Sequence, residues 1–244
     1  MASERLLKGN LAVVTGASRG IGRAISERFA REGARLALVG RSEAQLKQVA
    51  ESCEKLGAAS THVYAVDLSK PDLVEDFAKR VLEEHAAVSV LVNNAGMPPK
   101  GDGIVKGEGD MQSWQQAVNV NLVAPMVLTN FFTPSLIKQS GLIANIASVA
   151  GVEPMKGNPV YAATKWGLRG FSLSCYEALR NENVKVICIN PAAVKSDMTE
   201  GGPYRADRML QPEDIAETIM HSINLSDNAV VQDITLRLAL SAMK

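Results

Sequence analysis

Tyr161 and Lys165 stand four residues apart in the stretch YAATK, so a helix at this point places both side chains on one face. A cation close to a phenol stabilises the phenolate and brings the tyrosine pKa down from about 10 towards the range of acid–base catalysis. Ser148 comes 13 residues before Tyr161, directly after an apolar run. The Tyr-x3-Lys spacing alone also fits an ordinary pair on a surface helix, so its meaning depends on the elements around it.

A second stretch, VTGASRGIG at Val14–Gly22, has three glycines between an apolar run and the start of a helical pattern. A strand–turn–helix connection of this kind gathers unpaired backbone N–H groups at the positive end of a helix, which suits a pyrophosphate. The spacing Gly-x3-Gly-x-Gly meets the usual dinucleotide pattern only approximately. The alternative is a tight turn whose glycines supply positive φ angles.

The end of the second apolar run indicates which dinucleotide is bound. An NAD site has an Asp or Glu about 20 residues after the glycines, where it accepts a hydrogen bond from the ribose 2′-hydroxyl. Here the run ends in LVGRS, with Gly40 and Arg41 in place of the acid. A guanidinium suits a 2′-phosphate, and Arg19 in the glycine turn can bind the same group. The sequence therefore predicts NADP(H) as the cofactor.

Short apolar runs rich in Val and Ile alternate with helical patterns along almost the whole chain, as in a parallel sheet covered by helices. The predicted strands are Leu11–Thr15, Arg35–Gly40, Thr61–Val66, Val88–Asn93, Gly141–Ser148, Val184–Asn190 and a weaker Asn228–Leu236. The predicted helices are Gly20–Glu32, Glu43–Leu56, Pro71–Glu84 with Ser69 as its N-cap, Met111–Gln139, Asn158–Asn181 and Pro212–Ile223. This order predicts an α/β fold, a doubly wound parallel sheet of about seven strands in a single domain over residues 1–244.

Composition argues against several classes of function. The chain of 244 residues has 26 basic and 26 acidic side chains, which gives no reason to expect a nucleic acid or an anionic membrane as partner. Neither a signal-like N-terminus nor 18 consecutive apolar residues occur, so we expect no membrane span. Three scattered cysteines indicate a cytoplasmic protein, although the sequence equally allows a removed organellar transit segment. The three histidines are isolated, and no metal site is predicted.

In this order, TGASRGIG, NNAG (Asn93–Gly96), Ser148, YAATK and PAAVKS (Pro191–Ser196) resemble the short-chain dehydrogenase/reductase family over essentially the whole chain. The resemblance implies a Rossmann-type fold and hydride transfer between NADP(H) and a small-molecule carbonyl substrate. It implies that Tyr161 is the general acid that protonates the carbonyl oxygen, and that Ser148 hydrogen-bonds this oxygen. Lys165 would bind the nicotinamide ribose and favour the tyrosinate.

The resemblance also implies the other members of the site. Asn121, in VNVNL, matches the asparagine of a water-mediated proton relay behind the lysine, and Asn93 would help fix the edge of the cofactor. Asp67, in AVDLS, matches the acidic residue beside the adenine. The cofactor-binding set implied in addition to Tyr161 and Lys165 is Gly16, Ser18, Arg19, Gly20, Ile21, Gly22, Arg41, Asp67, Leu68, Asn94, Ala95, Gly96, Pro191, Val194 and Ser196.

The sequence departs from the family pattern after the sixth strand and at its end. Ala192 replaces the usual glycine, which adds a methyl group near the nicotinamide, and Ser196 replaces a threonine but keeps the hydroxyl. The glycine-free ending NAVVQDITLRLALSAMK is closer to small carbonyl and 3-hydroxy-acid reductases of the family than to 3-oxoacyl-carrier-protein reductases. We expect an apolar substrate lining of Met97, Pro98, Val152, Met155 and Met198.

Several alternatives stay open at the level of sequence. The first hypothesis is an NADPH-dependent ketone or aldehyde reductase, the second a 3-oxoacyl thioester reductase, and the third, of another class, a non-catalytic NADPH sensor. Ser196–Met209 fits either a mobile lid or an ordinary surface loop. Surplus apolar residues in Met111–Gln139 and around Tyr161 favour a homodimer or homotetramer, although a thick core would also account for them.

Overall fold

The computed structural model describes residues 6–100, 107, 109–199, 201 and 204–241. All the strands lie in one parallel sheet, in the order β3-β2-β1-β4-β5-β6-β7. Their bounds are β1 Leu11–Thr15, β2 Arg35–Gly40, β3 Ser60–Ala65, β4 Val90–Asn93, β5 Leu142–Ile146, β6 Lys185–Pro191 and β7 Asp233–Leu236. The strand order reverses between β1 and β4, which is where a doubly wound sheet binds its ligands. The predicted fold class is confirmed.

The connections between strands are mostly helical. The helices are α1 Gly20–Ala30, α2 Glu43–Lys55, α3 Pro71–Glu84, α4 Met111–Val118, α5 Ala124–Gln139, α6 Pro159–Leu179 and α7 Pro212–Asn224. The prediction of a Ser69 cap for α3 is wrong. Lys70 is the N-cap and makes no side-chain cap hydrogen bond, while the Ser69 backbone N–H and hydroxyl both donate to Asp67 Oδ1.

The predicted helix Met111–Gln139 is two helices joined by a π-turn at Asn119–Val123. The Ala124 N–H donates to the Asn119 carbonyl, five residues back, so the turn is wider than that of an α-helix. The wider turn directs Asn121 into the protein, where it is fully buried. The hydrophobic spacing of the segment gives no sign of the interruption.

The sheet is covered on both faces, because successive residues of each strand point to opposite sides. Val14 and Leu38 pack on one side with Phe29 of α1 and Ile219 of α7. The residues at the alternate positions, which include Val13, Val39 and Leu91, pack on the other side with Phe77 of α3 and Phe132 of α5. This double coverage explains why the strands are apolar at nearly every position.

Residues 111–139 form a helical stretch that is long and apolar enough to cross a membrane by length and composition. In the structure, Leu128, Phe132 and Leu136 on this stretch are fully buried in the core. The stretch therefore contributes one wall of the core beneath the sheet.

Candidate active site at the carboxyl edge of the sheet

The glycine turn joins β1 to α1 at the switch point of the sheet. Gly16 and Gly20 have φ angles of +65° and +53°, which favour glycine. A Cβ on Gly22 would lie 2.2 Å from the Gly16 carbonyl oxygen, so this position has no room for a side chain. Arg19, at the N-cap of α1, makes no side-chain cap hydrogen bond, and the first turn contains no acidic residue. This helix start fits an anionic group.

The turn is fixed to the segment after β4 by Thr15, which the sequence analysis did not single out. Its hydroxyl accepts hydrogen bonds from the backbone N–H groups of Asn94 (2.9 Å) and Ala95 (3.0 Å) and donates to the Val92 carbonyl (3.1 Å). The Asn94 amide returns a hydrogen bond to the Thr15 carbonyl at 2.9 Å. Thr15 at the end of β1 and Asn94 after β4 thereby hold the glycine turn against the NNAG stretch.

Asn93 does not lie in the cleft. It is buried within β4, and its amide donates to Asn145 Oδ1 of the neighbouring strand at 2.8 Å. Asn145 in turn donates to Ser172 of α6 at 2.8 Å. The expectation that Asn93 helps fix the cofactor edge is therefore corrected: its contacts link the sheet to α6.

A polar cavity of about 390 Å³ opens beside the glycine turn, lined by Ser18, Arg19, Arg41, Ser42 and Gln45. Ser42 caps α2 by accepting from the Gln45 N–H at 3.4 Å. The two arginines give the cavity a positive charge, and none of the five lining residues is acidic. The lining suits a phosphate group.

Asp67 lies after β3, close enough to Arg41 for their charges to interact. Burial raises its pKa, but the hydrogen bonds from Ser69 and the charges of Arg41 and Lys70 outweigh this effect and lower it. The carboxylate is therefore ionised at neutral pH. Leu68 beside it is buried in the core.

Tyr161 and Lys165 lie in the first turns of α6, which begins after Asn158. The Asn158 side chain caps this helix by accepting from the Tyr161 N–H at 3.2 Å. Ser148 follows β5 and begins a short 3₁₀ turn, Val149–Gly151. A Cβ on Gly151 would lie 2.6 Å from the Lys165 carbonyl oxygen, so only glycine lets the turn that carries Ser148 pack this closely on α6.

Burial dominates the titration behaviour of Tyr161. It raises the tyrosine pKa above its ordinary value, while the hydrogen bond with Ser148 opposes the shift. The Lys165 Nζ lies 5.7 Å from the centre of the Tyr161 ring and donates to the Ile146 carbonyl at 2.8 Å. That Lys165 favours the tyrosinate stays a prediction. At neutral pH the Tyr161 hydroxyl carries its proton.

Asn121 is held at the centre of the π-turn by three hydrogen bonds. Its side chain donates to the Met97 carbonyl (2.9 Å) and to the Thr164 hydroxyl (3.0 Å), and it accepts from the Met97 N–H (2.9 Å). The side chain thus joins the segment after β4 to α6. A Cβ on Gly96 would meet the Lys165 Nζ at 3.4 Å and Asn121 Oδ1 at 3.6 Å, so these three residues are close neighbours.

The segment after β6 lines the opposite wall of the cleft. Pro191 pairs with Leu236 of β7, and the buried Val194 forms a bridge with Leu210. The Ser196 hydroxyl donates to the Val194 carbonyl at 3.3 Å, within a local turn. A Cβ added to Gly20 would lie 3.6 Å from the Ser196 Cβ, so the glycine turn and this wall face each other.

The predicted substrate lining is only partly enclosed. Met155 and Met198 are 42% and 54% exposed, and Met97 is partly buried against the core. Residues 200, 202 and 203 of the Ser196–Met209 segment lie outside the described residues, and the alternative of lid or loop stays a prediction. Over the part of the chain that the structure describes, no three His, Cys, Asp or Glu side chains group to hold a metal ion.

The fold and this cleft define a nucleotide-binding α/β protein with a Ser, a Tyr and a Lys at the carboxyl edge of its sheet. Residues 10–204 match the family described as short chain dehydrogenase. The chain belongs to the short-chain dehydrogenase family.

Similar proteins span almost the whole chain. An uncharacterised oxidoreductase of Staphylococcus epidermidis is 32% identical over 232 residues, which cover 95% of this chain and 98% of the relative. A metagenomic short-chain oxidoreductase, solved in complex with NADP, is 35% identical with a TM-score of 0.83, covering 96% of this chain and 99% of its own. The L-sorbose reductase of Gluconobacter frateurii, solved with NADPH and L-sorbose, is 28% identical with a TM-score of 0.84, covering 96% and 97%.

The buried ammonium group of Lys165 predicts a pH-dependent stability. Burial lowers the pKa of Lys165 to about 8, whereas an unfolded lysine titrates near about 10.4. Between these values the unfolded chain binds more protons than the folded one, so the wild type gains stability as the pH rises. Relative to Lys165→Met, we expect a gain of up to about 3 kcal/mol between pH 7 and pH 10.

Urea unfolding of both proteins at several pH values measures this difference. The exposed Lys156 provides the control, since Lys156→Met removes a lysine that is already in solvent. This control should follow the wild type at every pH. A difference between the wild type and Lys165→Met that stays constant from pH 7 to pH 10 would contradict the prediction.

Proposed function

We propose that this protein is an NADPH-dependent oxidoreductase that reduces a ketone or aldehyde to an alcohol. The observation that carries the proposal is the grouping of Ser148, Tyr161 and Lys165 at the edge where the sheet binds ligands. The Lys165 Nζ lies 5.7 Å from the centre of the Tyr161 ring, and the turn that carries Ser148 packs closely against the Lys165 backbone. A tyrosine hydroxyl beside a cation can donate a proton to a carbonyl oxygen as the reaction proceeds.

The cleft fits the cofactor along its length. The start of α1 would hold the pyrophosphate, and the cavity of Arg19 and Arg41 would take the 2′-phosphate. Asp67 and Leu68 would lie beside the adenine, and Pro191, Val194 and Ser196 beside the nicotinamide. The NADP- and NADPH-bound structures of similar proteins support this assignment. When bound, NADPH supplies the hydride.

The chain's own residues manage the proton. The Ser148 and Tyr161 hydroxyls would bind the carbonyl oxygen, and Tyr161 would give its proton to this oxygen as the negative charge develops there. The phenolate that results is stabilised by the charge of Lys165, 5.7 Å from the ring centre. Asn121 holds Thr164 and the backbone of Met97 in place around this lysine.

The proposal is tested by following NADPH oxidation with the purified protein and a panel of carbonyl compounds. The panel contains a 3-oxo acid, a diketone, an aromatic aldehyde, a cyclic ketone, a sugar ketone and a 3-oxoacyl thioester. The apolar lining favours an uncharged ketone or aldehyde as the best substrate. Fastest turnover of the thioester would select the alternative hypothesis instead. Tight NADPH binding without turnover of any compound would favour the sensor.

We further propose that two chains associate through α4 and α6. An apolar depression of about 300 Å³ lies between them, lined by Val118, Leu122, Pro159, Val160, Ala163 and Thr164. Trp166 on the same helix is 44% exposed. An uncovered apolar surface of this kind favours contact with a second copy. Light scattering on the eluted protein distinguishes a monomer, which would contradict this, from a homodimer or homotetramer.

A further inference from the structure

We infer that Asp197 competes with the 2′-phosphate of the cofactor for Arg19, and thereby sets the preference between NADPH and NADH. The inference rests on the proposed use of NADPH. It is drawn from an ion pair across the cleft, in which Arg19 Nη1 donates to Asp197 Oδ2 at 2.6 Å.

The two partners come from opposite walls. Arg19 belongs to the glycine turn and lines the polar cavity together with Arg41, whereas Asp197 lies on the segment after β6. They are 178 residues apart in the chain. The ion pair therefore uses one of the two cations of the phosphate cavity to hold the two walls together.

The ion pair can be exchanged for a phosphate. The Arg19 and Asp197 side chains are 60% and 59% exposed, and exposed ion pairs are weak because solvent screens them. A phosphate carries more charge than a carboxylate and accepts two parallel hydrogen bonds from a guanidinium. The 2′-phosphate of NADPH can therefore displace Asp197 from Arg19. Breaking the ion pair reduces the net free energy of NADPH binding.

NADH does not compete with Asp197 for Arg19. It has a 2′-hydroxyl in place of the phosphate, so the Arg19–Asp197 pair stays closed when NADH binds. Asp197 thus lowers the affinity for NADPH selectively. Binding of NADPH also releases the segment around Ser196 and Asp197 from the glycine turn, and this segment borders the expected substrate site. The Arg19–Asp197 ion pair would thereby couple the choice of cofactor to the mobility of the segment that borders the substrate site.

The test is a titration of NADPH and NADH into the wild type and Asp197→Asn, with binding measured by calorimetry at fixed ionic strength. We expect the variant to bind NADPH about threefold to tenfold more tightly, with NADH changed by less than about twofold. In an Arg19→Gln background, Asp197→Asn should no longer change the ratio of the two affinities. In an Arg41→Ala background, its effect on the ratio should persist, because Arg41 is not paired with Asp197.

Two results would overturn the inference. Weaker NADPH binding by Asp197→Asn would show that Asp197 positions Arg19 for the phosphate. An equal change for both cofactors would show a general effect of charge on the pyrophosphate. A wild type that prefers NADH would contradict the proposed function, but the change in the ratio between wild type and variant would still decide the role of Asp197.

Discussion

Replacing Tyr161 by Phe should lower kcat by about a hundredfold to ten-thousandfold, the range that a general acid supplies. The ring and its packing are kept, and only the hydroxyl that contacts Ser148 is lost. Since most of the proposed cofactor contacts lie elsewhere in the cleft, we expect the Kd for NADPH to change by less than about threefold. Steady-state kinetics and a binding titration on the same preparation measure both quantities.

Tyr176 provides the matched control. It lies on the same helix, α6, and packs partly buried against the core. Tyr176→Phe removes the same hydroxyl group from a place outside the cleft, so its activity should stay close to that of the wild type. A Tyr161→Phe variant that retained a tenth or more of the wild-type kcat would exclude Tyr161 as the proton donor.

Gly22→Ala should abolish measurable NADPH binding and destabilise the fold. The new Cβ would lie 2.2 Å from the Gly16 carbonyl oxygen and 2.6 Å from Asn94 Nδ2, so the turn has to open. Overpacking of this kind costs about 1–3 kcal/mol, which exceeds the gain of up to about 1 kcal/mol from replacing glycine in a helix. Binding titration and urea unfolding give the two effects separately.

Gly170 provides the control position for Gly22→Ala. It is also a helical glycine, in α6, but nothing lies within 4 Å of the place where its Cβ would be. Gly170→Ala should therefore leave NADPH binding unchanged. If Gly22→Ala behaved like Gly170→Ala, the close approach of the glycine turn would not be needed for the cofactor.

Most of the fold can be predicted because the strands are buried on both faces. The alternation of short apolar runs with helical patterns is then visible in one dimension, and the first six strands all fall within about two residues of the predicted ends. The seventh is shorter than predicted, at Asp233–Leu236. Ala229 donates to the Ser226 carbonyl in a turn before it, so the apolar residues there precede the ladder.

The parts of the site that escaped prediction depend on contacts between distant segments. Thr15 matters because Asn94 and Ala95, about 80 residues later, donate to its hydroxyl. Gly151 matters because the carbonyl of Lys165 lies against it. The raised pKa of Tyr161 follows from burial around its hydroxyl, which no local pattern reports. Sequence spacing therefore indicates which residues meet, and the structure is needed to show what packs around them.

The π-turn at Asn119–Val123 makes the site sensitive to chain length. A π-turn is equivalent to one residue inserted into an α-helix, and each residue of a regular helix turns the chain by about 100°. Deleting a single residue here would let α4 and α5 merge into one regular helix without loss of backbone hydrogen bonds. The merged helix would turn the Asn121 side chain away from Met97 and Thr164. The extra residue thus interrupts a regular helix and in return directs Asn121 towards Met97 and Thr164. A homologue without it would need a different residue to join the segment after β4 to α6.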